Sequence, residues 1–256
     1  TTVPTILGAL LAQPEWAVCD LSSVRMIAIG STDVPVPMIE AVHARGIPVV
    51  QIYGATETAP AAIYQTADIA FDSIGSIGHA GCDTAIRLVD ALGKDVPNGT
   101  VGEIWVKGAN ILARYWNDAD TTAANITDGW FHTGDMARRD PAGLYWFADR
   151  LKHVIISGGE NIYPAELERV LAGHPDLAEF AIIGRDDDRW GQVPVVVAVR
   201  RTERIDAKQI DAAAVMAVFD GEVARFKQPK DVGFVAALPR NALGKIVLDE
   251  VAQLLA

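Results

Sequence analysis

FHTGDMARRDPAGLYWFADRLKHVIISGGENIYPAELE, from Phe131 to Glu168, carries more distinctive chemistry per residue than any other part of the chain. Thr133-Gly134-Asp135 interrupts an apolar strand pattern with a glycine that permits a tight backbone and a carboxylate able to accept from paired hydroxyls such as a ribose diol. An ordinary turn accounts for the same three residues. Asp140-Pro141-Ala142-Gly143 separates two strand-like runs, Trp130–Arg138 and Leu144–Ala148, and predicts a β-hairpin. Beyond it the texture changes abruptly. Asp149-Arg150-Leu151-Lys152-His153 is charged, residues 154–156 are strand-like, and Ser157-Gly158-Gly159-Glu160-Asn161 reads as a loop whose glycines allow close backbone approach to a ligand. Pro164 stands where a first helical residue belongs, with Glu166 and Glu168 early in the helix, as its dipole favours. The stretch therefore predicts a hinge between two domains.

Working outward, 256 residues of which 50% are hydrophobic can bury a substantial core and divide into more than one unit. No apolar run approaches the roughly 20 residues needed to cross a bilayer, and the N-terminus lacks the basic start of a signal peptide. Cys19 and Cys82 are far apart and the five histidines are scattered, so the reading is a reducing cytoplasmic setting with no zinc site. A formal charge of −11 argues against nucleic acid as a partner. Locally, residues 225–245 hold five basic side chains (Arg225, Lys227, Lys230, Arg240, Lys245) against Asp231, either a solvated face or a surface for a small polyanion.

Taken in order, residues 24–29 and 49–53 are apolar strand runs flanking a helix over 37–45, a βαβ unit. The second strand exits into Tyr53-Gly54-Ala55-Thr56-Glu57-Thr58, and the carboxyl ends of such strands are where ligands bind. Glu57 offers a hard oxygen for Mg²⁺ and Thr56 a hydroxyl for a phosphate or carboxylate; Thr56 is equally a helix N-cap. Short runs at 85–89, 102–107 and 111–116 predict a small antiparallel sheet or distorted barrel, with Gly102-Glu103-Ile104-Trp105-Val106 in a structural role, and 118–124 a short helix. After the hinge come strands at 179–183, 193–200 and 232–235 and helices at 207–218 and 248–255. An acidic loop, 186–192, contains Trp190, a core residue or a packing face for a ligand. Lys245 follows Gly244 in a loop suited to a side chain that enters a site built elsewhere, although an isolated Gly-Lys is usually a surface lysine. With Ile246 in place of Ser/Thr it is no phosphate-loop lysine.

The succession Tyr-Gly-x-Thr-Glu, Thr-Gly-Asp, Asp-Arg-x-Lys, Gly-Gly-Glu-Asn-x-Tyr-Pro and Leu-Gly-Lys resembles the adenylate-forming acyl-CoA synthetases, over essentially the whole chain but over only the C-terminal half of such an enzyme. The resemblance implies an α/β and α+β multidomain fold. Its expected parts are a remnant of a parallel βαβ N-terminal domain (1–72), a small antiparallel β-barrel-like subdomain (73–148) and a mobile, compact α+β C-terminal domain (149–256) that turns near Lys152. The implied reaction is carboxylic acid + ATP + CoA to acyl-CoA + AMP + pyrophosphate, catalysed by an acid–thiol ligase of fatty or aromatic acid metabolism that uses ATP, Mg²⁺ and coenzyme A. By the same resemblance, Lys245, Glu57 and Thr56 are catalytic, Glu57 holds the metal, and Tyr53, Gly54, Asp135, Arg150, Gly158, Gly159, Glu160 and Trp190 bind nucleotide, acid or CoA. A homodimer is open, since relatives often pair.

His153 stands where relatives often have Asp, and Gly30-Ser31-Thr32 replaces a more frequent Gly-Gly-Ala beside the acyl pocket. The Ser/Thr/Gly-rich loop that holds the ATP β- and γ-phosphates is not found, so the chain is expected to begin after it and to be inactive alone. The alternative is a non-catalytic truncated module that binds nucleotide or CoA and acts with a partner chain.

Overall fold

The computed structural model describes residues 1–30, 34–201, 210–241 and 244–255. It is a mixed α/β chain with three sheets, dividing into two compact units, Thr1–Ala148 and Asp149–Ala256.

In the first unit α1 (Pro4–Leu11) starts on a proline and buries Leu7. Strands β1 (Ile27–Gly30) and β2 (Val49–Tyr53) pair in parallel, with α2 (Val36–His43) between them in sequence. Ile39 and Val42, three apart, are the buried stripe of α2 and pack with Leu7, Ile29, Ile47 and Val49. Gly30 sits so close to β2 that a Cβ there would lie 2.4 Å from the Ile52 carbonyl oxygen. Antiparallel β3 (Ile63–Tyr64) and β4 (His79–Ala80) complete this sheet. Its buried amides are satisfied internally. Gln51 N–H donates to Gln65 Oε1 at 2.8 Å, Gln51 Nε2 to the Ser76 carbonyl at 2.7 Å, and Gln65 Nε2 to the Ser73 carbonyl at 2.8 Å.

The second sheet contains β5 (Thr84–Val89), β6 (Val101–Gly108), β7 (Ile126–Thr127), β8 (Trp130–Arg139) and β9 (Tyr145–Arg150), in the order β5-β6-β8-β7 with β9 also on β8. Helix α3 (Ala119–Asn125) is capped by Asp118, whose carboxylate accepts the Thr121 N–H at 2.9 Å. Thr133-Gly134-Asp135 does not interrupt β8. Between the pairs Trp105↔His132 and Glu103↔Met136, the single residue Ile104 faces all three, so they form a bulge within the strand, with Gly134 at φ 67°. The run at 111–116 is not a strand. Its Leu112 N–H and Tyr115 hydroxyl bond to Glu57 of the Thr56–Thr58 turn instead of to a ladder.

In the second unit β10 (Ile155–Ser157), β11 (Glu160–Ile162), β12 (Leu177–Asp187), β13 (Gly191–Arg200) and β14 (Asp231–Phe234) form one sheet, order β11-β10-β13-β12, with β14 parallel to β13. Helices α4 (Pro164–Leu171), α5 (Ala212–Ala217) and α6 (Leu248–Gln253) cover it. Because the sheet is covered on both faces, β13 is buried on both. Val196 and Ala198 pack with Leu167, Leu171, Val215 and Phe219, whereas Val195 and Val197 pack with Leu238 and Val251. Three expectations change here. Ser157–Asn161 is a hairpin: Ser157 pairs with Glu160 around a two-residue Gly158-Gly159 turn, both at positive φ. Most of the acidic stretch 186–192 is ladder, with Asp186 opposite Gln192. The helix expected over 207–218 is Ala212–Ala217; residues 207–209 lie outside those described, as do Ser31, Thr32, Ala242 and Leu243.

Leu167 of α4 is fully buried against the sheet. Leu167→Ala is expected to destabilise the second unit by about 2–5 kcal/mol, read as a lower urea midpoint in equilibrium unfolding.

Candidate active site

The β2 exit loop and the β8 bulge meet in the first unit. Tyr53 Oη donates to Asp135 Oδ2 at 2.8 Å, joining two sequence-predicted site residues 82 positions apart. The bulge is fixed from beneath. Thr133 Oγ1 donates to the Ile104 carbonyl at 2.8 Å and accepts the Asp135 N–H at 3.1 Å. The Glu103 carboxylate accepts the Gly134 N–H at 3.0 Å and the Trp105 indole N–H at 2.9 Å.

Past Tyr53 the chain needs a glycine, because a Cβ on Gly54 would lie 1.6 Å from the Pro60 carbonyl oxygen. The turn Thr56–Thr58 follows, ended by Ala59 in the left-handed region at φ 52°. Thr56 is not its N-cap. That position is Ala55, and the buried Thr58 hydroxyl ties the turn by accepting the Ala55 N–H at 2.9 Å, leaving Thr56 exposed. Glu57 is half-buried, and its Oε1 accepts from Tyr115 Oη at 3.1 Å. Burial, followed by the bond to Glu57, pushes the Tyr115 hydroxyl above the usual phenol range, so it stays protonated and donates. Among the described residues no three His, Cys, Asp or Glu side chains gather to hold a metal. A single carboxylate still suits Mg²⁺, which keeps waters and substrate phosphate oxygens as its other ligands.

In the second unit Asp149 is 5% exposed and accepts the Arg150 and Ala165 N–H groups, each at 2.7 Å. It thereby satisfies the start of α4, whose N-cap residue Tyr163 makes no side-chain cap bond. Arg150 ends β9 and Lys152 lies in the turn Leu151–His153, both exposed. His153 approaches the Asp149 carboxylate at 3.8 Å, yet burial and then the Lys152 and Arg150 cations lower its pKa, so the imidazole is neutral at pH 7. Gly158 and Trp190 are brought together. The Gly158 N–H donates to the Trp190 carbonyl at 2.8 Å, and the indole lies over the glycine with 44% of the residue still exposed. Gly159 and Glu160 are exposed beside them. Lys245 is exposed in a turn closed by its own N–H donating to Asn241 Oδ1 at 3.0 Å.

Two family models match the chain: AMP-binding enzyme over residues 1–116 and AMP-binding enzyme C-terminal domain over residues 166–245. An indoleacetate–CoA ligase of Aromatoleum aromaticum is 48% identical over 254 residues, 99% of this chain and 49% of the relative. A feruloyl-CoA synthase of Amycolatopsis is 41% identical over 97% of this chain and 50% of that protein. The chain belongs to the AMP-binding enzyme family. A solved o-succinylbenzoate CoA synthetase from Bacillus subtilis, in complex with an acyl-adenylate intermediate, superimposes with a TM-score of 0.88 at 33% identity, over 98% of this chain and 50% of that one. The chain spans about half the length of the relatives it matches.

Reading the sequence missed Tyr115 and Asn110. Tyr115 and Asn110 bond across more than 50 positions to the Glu57 turn, with nothing in their spacing to mark it. Asp149 was read as part of the Asp-Arg-x-Lys motif, but its bonds to the Arg150 and Ala165 N–H groups were not.

A Cβ at Gly158 would meet the Trp190 ring at 2.8 Å, and its φ of 60° disfavours any other residue. Gly158→Ala is expected to cost about 1–2 kcal/mol and to displace the indole. The check is tryptophan fluorescence, with Trp190→Phe identifying the contribution of that ring.

Proposed function

We propose that this chain is part of an ATP-dependent acyl-CoA synthetase that activates an aryl-substituted carboxylic acid through an acyl-adenylate. The observation that carries this reading is the bond between Tyr53 and Asp135, which joins the β2 exit loop to the Thr-Gly-Asp bulge in a chain matching both AMP-binding models in order. The acid class is supported by the relatives, named for indoleacetate and for feruloyl-CoA.

A carboxylate resists attack because addition places further charge on an anionic, resonance-stabilised group. Its own oxygen attacks the α-phosphorus of ATP, pyrophosphate leaves, and the CoA thiolate then displaces AMP from the mixed anhydride to give the thioester. The first step needs little covalent work from the protein and depends on cations set against developing charge. Lys245 serves there, carried on an exposed turn. Mg²⁺, when bound at Glu57, would neutralise phosphate charge. Asp135 accepts from the ribose hydroxyls, with Tyr53 holding its carboxylate, and Arg150 binds the ribose or the phosphate edge. The second unit turns at Lys152 between half-reactions, withdrawing Lys245 and bringing the Gly158-Gly159-Glu160 hairpin and Trp190 to the CoA thiol arm. Cys19 and Cys82, both free thiols, accord with a cytoplasmic setting. No described helix is long and apolar enough to cross a membrane.

The test is pyrophosphate and AMP release by the intact protein with ATP, Mg²⁺, CoA and a panel of aryl and fatty acids. Release dependent on an aryl acid is expected; no release with any acid overturns the reading. Lys245→Ala should abolish adenylation while sparing thiolysis of a supplied acyl-adenylate. Equal loss in both assays would sink that division of labour.

A further inference from the structure

We propose that Tyr115 is a positioning residue that holds the Glu57 carboxylate for a divalent cation accompanying ATP. The proposal rests on Glu57 as the metal carboxylate and adds what sets its geometry.

Three bonds tie the segment around Tyr115 to the Glu57 turn. Asn110 Nδ2 donates to the Thr58 carbonyl at 2.7 Å, the Leu112 N–H to the Glu57 carbonyl at 2.9 Å, and Tyr115 Oη to Glu57 Oε1 at 3.1 Å. The first two fix backbone; only the third touches the carboxylate. Tyr115 is itself anchored from behind. Its N–H donates to Thr122 Oγ1 at 3.0 Å, and that hydroxyl donates to the Asp118 carbonyl at 2.7 Å in the first turn of α3. In Arg114-Tyr115-Trp116-Asn117 the flanking residues are exposed, Trp116 by 82%, so Tyr115 alone of the four turns inward. A glutamate has three side-chain torsions to order. A neutral donor on one oxygen fixes the carboxylate plane without cancelling its charge, as partners behind metal ligands do.

Tyr115→Phe keeps the ring and removes only the donor. In the intact, ATP-loaded protein without acid or CoA, Mn²⁺ binding read by electron paramagnetic resonance should weaken about tenfold. In turnover, the Mg²⁺ requirement should rise by a similar factor, with kcat at saturating Mg²⁺ near the parent value. In a Glu57→Gln background, Tyr115→Phe should cause no further loss of Mn²⁺ affinity. Unchanged Mn²⁺ affinity in Tyr115→Phe, or a loss that simply adds to that of Glu57→Gln, overturns the positioning role. If Glu57→Gln itself leaves Mn²⁺ binding intact, the metal assignment fails, and that outcome is distinct from failure at Tyr115 alone. Should Tyr115→Phe not fold, Tyr115→Met carries the test: it also removes the donor while its flexible apolar side chain fills the space of the ring, and unchanged Mn²⁺ affinity there overturns the proposal.

Discussion

The first unit depends on giving one half-buried carboxylate, Asp135, a partner beside an apolar core. In β8, Phe131 and Ala137 lie on the buried face, opposite Val106 and Gly102 of β6. Side chains two apart share a face, so a regular pleat would send Asp135 inward with them. An unpaired carboxylate there would cost several kcal/mol or take up a proton. The bulge sets three residues of β8 against Ile104 alone, and the half-buried Asp135 is paired with the Tyr53 hydroxyl beside that core. Glu103 and Thr133 satisfy the backbone N–H groups that the bulge withdraws from the ladder. The Gly-Glu-Ile-Trp stretch of β6 and the Thr-Gly-Asp stretch of β8 are thus two halves of one device.

How much of this the sequence disclosed depends on whether the cause was local. Period-two alternation and β-branched runs marked β2, β6 and β13, and Pro164 marked the first residue of α4. The strand at 193–200 was legible, but its burial on both faces, from Val193 to Ala198, came from the helices that cover the sheet. Ile111–Trp116 failed for a physical reason: its apolar content suits a strand, but Asn110, Leu112 and Tyr115 spend their polar groups on a turn more than 50 positions earlier. Likewise Gly158-Gly159 read as an open loop because glycines serve loops and tight hairpin turns alike, and only pairing of Ser157 with Glu160 separates the two. Of the site residues, the motif positions were legible as chemistry. Their supports were not, since Tyr115, Glu103 and Asp149 act through contacts that tertiary structure alone creates.

The same logic explains why the acidic and basic groups are mounted differently. Glu57 and Asp135 have short stems, so where their oxygens sit is decided by the backbone, and each lies on irregular backbone with a tyrosine hydroxyl bonded to it. Such groups are preorganised, and the fold meets that cost in advance through the Thr58 and Glu103 bonds. Lys245 is the opposite case. Its backbone is pinned by Asn241, while its long side chain extends from an exposed turn of the second unit. A strongly hydrated ammonium on a flexible stem gains little from being locked before charge develops nearby. The first unit thus carries carboxylates fixed by their backbone, and the second a lysine on an exposed turn.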